Sequence, residues 1–368
     1  FQVQTRTEDP VPYAQALADN PYAGAWSSQT NMNSARRSSA GAGTATAAFV
    51  TGGIAPGDTS GLTEIFNGSS WTEVSDLNTP RQYFKGAGTT TAGIVTGGVK
   101  NTPNTSLGVT EVYNGSSWSE EGDLNSAREN MGMSGSGTAE AVIIFGGMYV
   151  SPTAGLAIAE QYNGSSWTEV GDLNTARKGI QGLGTTTAAI AASGRSAPGP
   201  WIANVESWDN SSWTEIADVN TAKAQGGSAG TSTSGLIYGG YPNKTADTES
   251  WDGSSWTEVA NLSSAKVAMA RAGVNNLSAL SSAGYDGSSN LNATEEWSFS
   301  GLDPSSTPAA DYANAITGDF YYNSTTGQFK AVNTGGAPLG SFSSGSAMST
   351  SRSYGSTAQS GTNSTGQI

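Results

Sequence analysis

The chain has 368 residues, of which 30 are acidic and 16 basic, so its formal charge is −14. It contains no Cys and no His, which excludes disulfides, thiolate chemistry, His-ligated metal sites and Ser-His or Cys-His nucleophiles. The acidic charge disfavours nucleic acid as a partner, and no apolar run approaches the roughly 18 residues that span a bilayer. Ten Trp and thirteen Tyr supply a large area for burial, so this Gly-, Ser- and Thr-rich chain is predicted to fold.

The N-terminal segment precedes any repetition in the sequence. Residues 1–24, FQVQTRTEDPVPYAQALADNPYAG, are predicted to form an extended arm.

An internal repeat occupies residues 25–302. The segment WTEVSDLNTPR recurs with small changes at a period of 43 to 49 residues, a spacing typical of repeated supersecondary units. Its six tryptophans are Trp26, Trp71, Trp118, Trp167, Trp213 and Trp256.

Each repeat has the same order of features. A basic residue opens a stretch of small residues, and an apolar run then ends in Gly-Gly, as in AAFVTGG. A variable polar stretch follows, then Glu-x-aromatic, a turn of the type NGSS and the next Trp. The Asn-Gly and Asp-Gly pairs favour hairpins, because both residues tolerate positive φ. The pattern predicts four short strands, a to d, and hence an all-β, six-bladed propeller.

The two ends of the repeat region complement each other. The last unit has strands a to c, but Leu302 stands where strand d should carry its Trp, whereas the first copy begins with a strand d around Trp26. We therefore predict that Ala25–Gln29 completes the last blade and closes the ring, which removes an open sheet edge.

The diglycine, the Glu-x-aromatic, the Trp and the basic residue after it resemble the kelch repeat. The resemblance covers residues 25–302 and implies a kelch-type propeller. The Glu and basic residues recur in every blade, so they are predicted to pair within blades. Copper radical oxidases with this repeat use His and a Tyr–Cys crosslink, which the composition excludes. The stretch SWDGSSW at 250–256 is one residue short of a sialidase Asp box and is interpreted as a turn.

The sequence changes character after residue 302. Residues 303–340 are predicted to form a linker and a hairpin, the hairpin lying within GDFYYNSTTGQFKAV at 318–332. In residues 341–368, Phe342 and Arg352 are spaced like Trp26 and Arg36, which predicts the start of a second kelch array.

Length variation is confined to one part of the repeat. From Trp to the second Gly of strand b the spacing is 27 to 29 residues, and from that Gly to the next Trp it is 16 to 20. Variable loops on a repeated scaffold are common recognition sites. The b–c loops, 54–63, 99–110, 148–159, 195–205, 241–248 and 285–294, are therefore the candidate binding face. Its aromatic residues either stack on sugars or cover strand ends; they are Tyr149, Trp201, Tyr241 and Tyr285.

The copies of NGSSWTEV and DLNTAR are also similar to arrays in marine bacteriophage tail fibres. That resemblance implies a non-enzymatic protein of the virion surface, without metal or cofactor, that forms homo-oligomers. It further implies contacts with other virion proteins through the arm, and a host-surface glycan or receptor as ligand. The alternatives are a secreted bacterial kelch adhesin and a glycan-active enzyme, which would need a lone carboxylate pair on the loop face.

Overall fold

The computed structural model describes residues 24–101, 103–135 and 138–299 with their side chains, and the backbone of four further strands at 3–6, 320–323, 328–332 and 338–342. All regular structure in these ranges is β-strand, numbered β1 to β30 along the chain. None of the described residues belongs to a helix long and apolar enough to cross a bilayer. The all-β prediction is confirmed.

Six four-stranded antiparallel sheets, which we call blades 1 to 6, make up the repeat region. The first two blades contain β3 (Ala40–Gly43), β4 (Ala48–Thr51), β5 (Thr63–Phe66), β6 (Trp71–Val74) and β7 (Lys85–Gly88), β8 (Gly93–Thr96), β11 (Thr110–Tyr113), β12 (Trp118–Glu121), with the hairpin β9 (Val99–Asn101)–β10 (Asn104–Ser106) in the b–c loop of blade 2. Blades 3 and 4 contain β13 (Gly132–Met133), β14 (Val142–Phe145), β15 (Ala159–Tyr162), β16 (Trp167–Val170) and β17 (Gln181–Gly184), β18 (Ala189–Arg195), β19 (Trp201–Trp208), β20 (Trp213–Ile216). The last two contain β21 (Gly227–Gly230), β22 (Gly235–Gly240), β23 (Thr245–Trp251), β24 (Trp256–Val259) and β25 (Ala270–Asn275), β26 (Ser278–Ser282), β27 (Thr294–Ser298) with β2 (Ala25–Gln29).

Strand β2 closes the ring as predicted. It pairs antiparallel with β27 in five steps, from Ala25 opposite Ser298 to Gln29 opposite Thr294. Trp26 also reaches blade 5, where its ring meets that of Tyr238 edge-on with centroids 4.7 Å apart. The seam therefore holds blade 6 together and links it to its neighbour.

A cycle of backbone hydrogen bonds encircles the axis. One residue per blade, two positions after the basic residue, donates its N–H to the carbonyl of the equivalent residue in the preceding blade at 2.7–3.0 Å. All six have φ between +53° and +68°, which turns their peptides toward the neighbouring blade. The members of this axial ring are Ser38, Tyr83, Asn130, Gly179, Gln225 and Ala268.

The inner strands succeed one another around the axis and contact each other in a closed cycle. Their backbones approach closely, which explains why they consist largely of Gly and Ala. A Cβ on Gly182 of blade 4 would lie 2.2 Å from the carbonyl oxygen of Met133 in blade 3, a distance that no real contact adopts. The small residues of strand a thus set the narrow radius of the ring.

The core lies between the blades. Trp118 of blade 2 donates its indole N–H to Thr63 Oγ1 of blade 1 at 3.2 Å, and its ring lies edge-on to Phe49 of the same blade at 5.9 Å. The repeat places one such ring at each junction; the tryptophans of strand d in blades 1 to 5 are 5 or 6 % exposed, namely Trp71, Trp118, Trp167, Trp213 and Trp256. Trp26 at the seam is half-buried.

Buried ion pairs connect each strand c to the segment that enters its blade. The basic residue and the Glu of one repeat are both nearly inaccessible, with side-chain exposures of 0–3 %. The six pairs are Arg36–Glu64, Arg81–Glu111, Arg128–Glu160, Arg177–Glu206, Lys223–Glu249 and Lys266–Glu295. Pairing within blades, as the sequence predicts, withdraws these carboxylates from any surface chemistry.

The diglycines bring the b–c loops and the d–a loops to one face. In blade 2 the N–H of Gly98, which has φ of +101°, donates to the carbonyl of Arg128 in the loop that enters blade 3, at 2.9 Å. A residue with a side chain at position 98 would also meet the carbonyl of Gln82 at 2.7 Å. We call this side of the propeller the loop face.

The chain divides into two compact units. The larger comprises residues 12–309, and the smaller comprises residues 1–11 and 310–368. Strands β28 (Phe320–Asn323) and β29 (Gln328–Val332) pair antiparallel, which confirms the predicted hairpin. β30 (Pro338–Phe342) joins β29, and β1 (Val3–Arg6), from the predicted arm, pairs parallel with β28. The linker predicted before this hairpin lies outside the described residues. So does the second array predicted for residues 341–368, apart from residues 341 and 342, which belong to β30.

Candidate functional site

Six pairs of positions on the loop face break the symmetry of the ring. In each blade the basic residue of the buried ion pair, which we call the framework cation, is followed by a residue that forms an isolated antiparallel bridge. Its partner is the residue that follows the second glycine position at the end of strand b. The framework around these pairs repeats, whereas their side chains differ from blade to blade. In blade order they are Arg37–Ile54, Gln82–Val99, Glu129–Met148, Lys178–Arg195, Ala224–Tyr241 and Val267–Tyr285. Such differences allow one part of the loop face to bind a ligand that the other parts do not.

The pairs of blades 4 and 5 border a pocket. It has a volume of about 260 Å³ and lies beside the axial ring, two members of which form part of its wall. Its lining consists of Lys178, Gly179, Arg195, Trp201, Ala224, Gln225 and Tyr241. We call it the loop-face pocket.

Two aromatic rings form the apolar part of this pocket. Trp201 begins β19 opposite Arg195, and Tyr241 follows β22, held by two backbone hydrogen bonds with Ala224 at 2.8 and 2.9 Å. The rings of Trp201 and Tyr241 stack with centroids 5.9 Å apart and planes inclined by 23°. The Arg195 guanidinium carbon lies 5.1 Å from the centroid of Trp201, a cation–π distance. Both rings are half-buried and are positioned before any ligand arrives.

Two cations give the pocket a positive charge. Lys178 and Arg195 exchange backbone hydrogen bonds at 2.9 and 3.0 Å, which brings their side chains to one wall. Burial lowers the pKa of Lys178, and the Arg195 charge lowers it further. Glu129 of the adjacent pair offsets only part of this charge, because burial raises the pKa of its carboxyl to about 7 despite the attraction of Lys178. The pocket therefore favours a ligand with an acidic or electron-rich group.

The four aromatic residues predicted for binding do not form one cluster. Trp201 and Tyr241 line the pocket together. Tyr285 lies under Arg37, whose guanidinium carbon is 4.4 Å from the ring centroid, and its hydroxyl donates to the carbonyl of Gly287. Tyr149 is half-buried outside the pocket lining.

Sequence reasoning missed the polar wall of the pocket. Lys178 and Gln225 were not predicted, and Arg195 was included only as the first residue of the loop 195–205, although one signal was present. The position after each framework cation varies in charge and size across an otherwise regular repeat. Comparing that position between blades would have identified Lys178.

The turn at 250–256 has the geometry expected of a hairpin tip. The carboxylate of Asp252 accepts the backbone N–H groups of Ser254 and Ser255, each at 2.7 Å. In the part of the chain that the structure describes, no cluster of three His, Cys, Asp or Glu residues is arranged to hold a metal ion.

Comparison with solved structures identifies a protein of the same fold. The structure described as that of YjhT superposes with a TM-score of 0.61 at 14 % sequence identity, covering 72 % of this chain and 95 % of YjhT. At that identity the likeness concerns the fold, a six-bladed β-propeller. Neither a protein-family model nor a curated protein sequence matches the chain.

Proposed function

We propose that the propeller is a non-enzymatic recognition module that binds a surface glycan in the loop-face pocket. The observation that carries this proposal is the stacked pair of Trp201 and Tyr241 beside two cations. Tyr and Trp supply rigid contact area at low entropic cost, and they present an apolar face suited to a sugar ring. The side chains of Lys178 and Gln225 line the same cavity and offer polar groups that can bond sugar oxygens.

The size of the pocket suits a small part of a larger ligand. Its volume of about 260 Å³ lies below the roughly 300–1,000 Å³ of pockets that enclose drug-sized molecules. A single sugar unit at the end of a chain fits such a space, with the remaining units lying on the loop face. Weak binding at one site is consistent with a protein displayed in many copies, because multivalency raises avidity by orders of magnitude.

We further propose that this module belongs to a bacteriophage virion, as a protein of the tail-fibre kind. The support is the similarity of its kelch-like copies, NGSSWTEV and DLNTAR, to the arrays of such fibres. In this proposal copies of the chain assemble with one another and with other virion proteins. Mass spectrometry of purified particles from the phage that carries the gene tests the location. If the chain occurs only in bacterial culture supernatant, a secreted adhesin is the correct class.

The glycan proposal is tested by matched aromatic variants in the same repeat. Tyr241 and Tyr285 occupy equivalent positions in blades 5 and 6, but only Tyr241 lines the loop-face pocket. On a glycan array that contains neutral and acidic sugars, Trp201→Ala and Tyr241→Ala are expected to weaken binding at least tenfold, the loss typical of buried aromatic anchors. Tyr285→Ala is expected to bind like the parent. Equal binding by all three variants would place the site elsewhere.

A glycan-cleaving enzyme is the second candidate, favoured by the buried carboxyl of Glu129. With a pKa of about 7 and Lys178 nearby, it resembles a general acid. Glycosidases generally need a second carboxylate across the scissile bond, and the lining of the loop-face pocket contains none. Release of reducing sugar from bound glycans, lost in Glu129→Gln, would support this candidate against the binding module.

A further inference from the structure

A second, smaller cavity lies on the axis, next to the axial ring. All six ring residues line it, together with side chains from the start of the inner strands, including Ser39 and Lys85. Its volume of about 20 Å³ matches one atom-sized occupant, since a water needs roughly 10–15 Å³. The side-chain amide of Gln225 donates to Asn130 Oδ1 at 2.8 Å, which links ring residues of blades 5 and 3.

Two cations from blades 2 and 6 lie near the axis. Arg271 of blade 6 extends to the opposite side, where its guanidinium donates to Met133 O of blade 3 at 2.8 Å and also bonds Gly182 O and Ser228 Oγ. Lys85 of blade 2 lines the axial cavity itself. Among the described residues, neither cation has a carboxylate within 4 Å. A chain whose formal charge is −14 thus concentrates uncompensated positive charge at its centre.

The electrostatics of the cavity reflect this arrangement. Burial lowers the pKa of Lys85 to about 7, and the charge of Arg271 contributes to the same shift. Burial lowers the pKa of Arg271 to about 10. Arg271 is 8 % exposed and Lys85 is half-buried, so the two charges have lost part of their hydration without gaining a counter-ion among the described residues.

Unpaired hydroxyl donors line the same cavity. Ser38 and Ser39 are 5 % and 7 % exposed, and neither Oγ has a hydrogen-bond partner. A buried hydroxyl without a partner costs about 1–3 kcal/mol in stability, so natural proteins rarely leave one unsatisfied. The two serines and Lys85 line the same small space, and each can donate a hydrogen bond there.

We propose that the axial cavity binds one monatomic anion, chloride, held by the Lys85 ammonium and the hydroxyls of Ser38 and Ser39. Chloride accepts hydrogen bonds without donating any, which suits a site of donors. Its charge compensates that of Lys85, and a space of about 20 Å³ suits a monatomic ion. The ion would act as a central structural ligand that joins blades 1 and 2.

Denaturation of the full chain in matched salts tests this proposal. At equal ionic strength, sodium chloride is expected to raise the denaturation midpoint above that in sodium gluconate, whose anion is too large for the cavity. The difference should saturate with chloride concentration, as it does for binding to the native state alone. Lys85→Met should abolish the chloride-specific increment, whereas the exposed control Lys100→Met in the same blade should retain it. Equal midpoints of the parent in the two salts, or a chloride increment that persists in Lys85→Met, would overturn the proposal.

A direct measurement covers the case in which Lys85→Met fails to fold. Crystals of the parent protein soaked in bromide should give an anomalous peak in the axial cavity, within hydrogen-bond distance of Lys85. Density that persists without an anomalous signal would identify a water and refute the anion. Neither measurement involves a glycan, so its outcome is independent of the loop-face pocket.

Discussion

Replacing Arg128 by leucine is expected to destabilise the propeller far more than replacing it by lysine. Arg128 and Glu160 are both fully buried, and the guanidinium also donates to the carbonyl of Ser126 at 2.9 Å. Glu160 has further support from the loop, since the backbone N–H and the amide of Asn125 both donate to it at 2.8 Å. The pair thus joins the segment that enters blade 3 to strand c of the same blade.

The magnitude follows from what each variant leaves behind. Leucine leaves the Glu160 carboxylate buried without a cation, which typically costs about 3–5 kcal/mol. Lysine keeps the charge, as Lys223 and Lys266 do in blades 5 and 6, where Nζ lies 2.9 and 2.8 Å from the Glu. It loses the bond to Ser126, for which a net cost of about 0.5–1.5 kcal/mol is expected.

Guanidinium denaturation followed by tryptophan fluorescence measures both variants against the parent. In thermal unfolding, the leucine variant is expected to melt roughly 6–20 °C lower, given about 2–4 °C per kcal/mol for a large domain. The double variant Arg128→Leu with Glu160→Gln should recover part of the loss, because it removes the buried charge. If the leucine and lysine variants lose the same unfolding free energy, the buried ion pair does not stabilise the propeller by the amount expected.

Two further predictions concern the seam and the pH dependence of stability. Deleting residues 1–30 removes β2 and exposes the edge of β27, so the truncated chain should self-associate in light scattering. Deletion of residues 1–23, which keeps β2, should leave the association state unchanged. If the chain without residues 1–30 is a monomer that melts like the parent, β2 does not close the ring. Burial raises the pKa of Glu129 from 4.5 to about 7, so its neutral form contributes stability that is present below pH 4.5 and lost as the pH rises through 7. Glu129→Gln should therefore flatten the decline in unfolding free energy between pH 4.5 and 7, and an unchanged slope would assign that decline to other groups.

The framework of the fold was predictable because it repeats. Gly-Gly, Glu-x-aromatic and Trp recur because of turn geometry, ion pairing and burial between blades. With six copies, the pattern can be recognised even where one copy departs from it. The exchange of Ala25–Gln29 into blade 6 followed from simple complementarity of the two ends. These features depend on residues that every blade shares.

The candidate sites were less predictable because they depend on residues that the blades do not share. Trp201 and Tyr241 were selected as loop aromatics, but nothing in the sequence indicated that they stack with each other or that Tyr285 would lie under Arg37. Lys178 and Arg195 are 17 positions apart and meet only because a bridge joins their backbones. The axial cavity depends on ring geometry that no local pattern encodes, and Lys85 and Arg271 come from different blades.

The pairing at the seam has a mechanical consequence when force is applied through the two segments that flank the propeller. Ala25 and Ser298 are cross-strand partners, so the flanking segments leave the β2–β27 ladder from the same end. Tension applied through those segments loads that first pair alone, and the ladder then opens one step at a time toward Gln29, as a zipper does. Trp26 lies at the second step, where its edge-on contact with Tyr238 and its hydrogen bond to Thr248 Oγ1 resist further opening. Under load the seam should therefore yield before the other blades, releasing β2 while the axial ring still holds the circle closed.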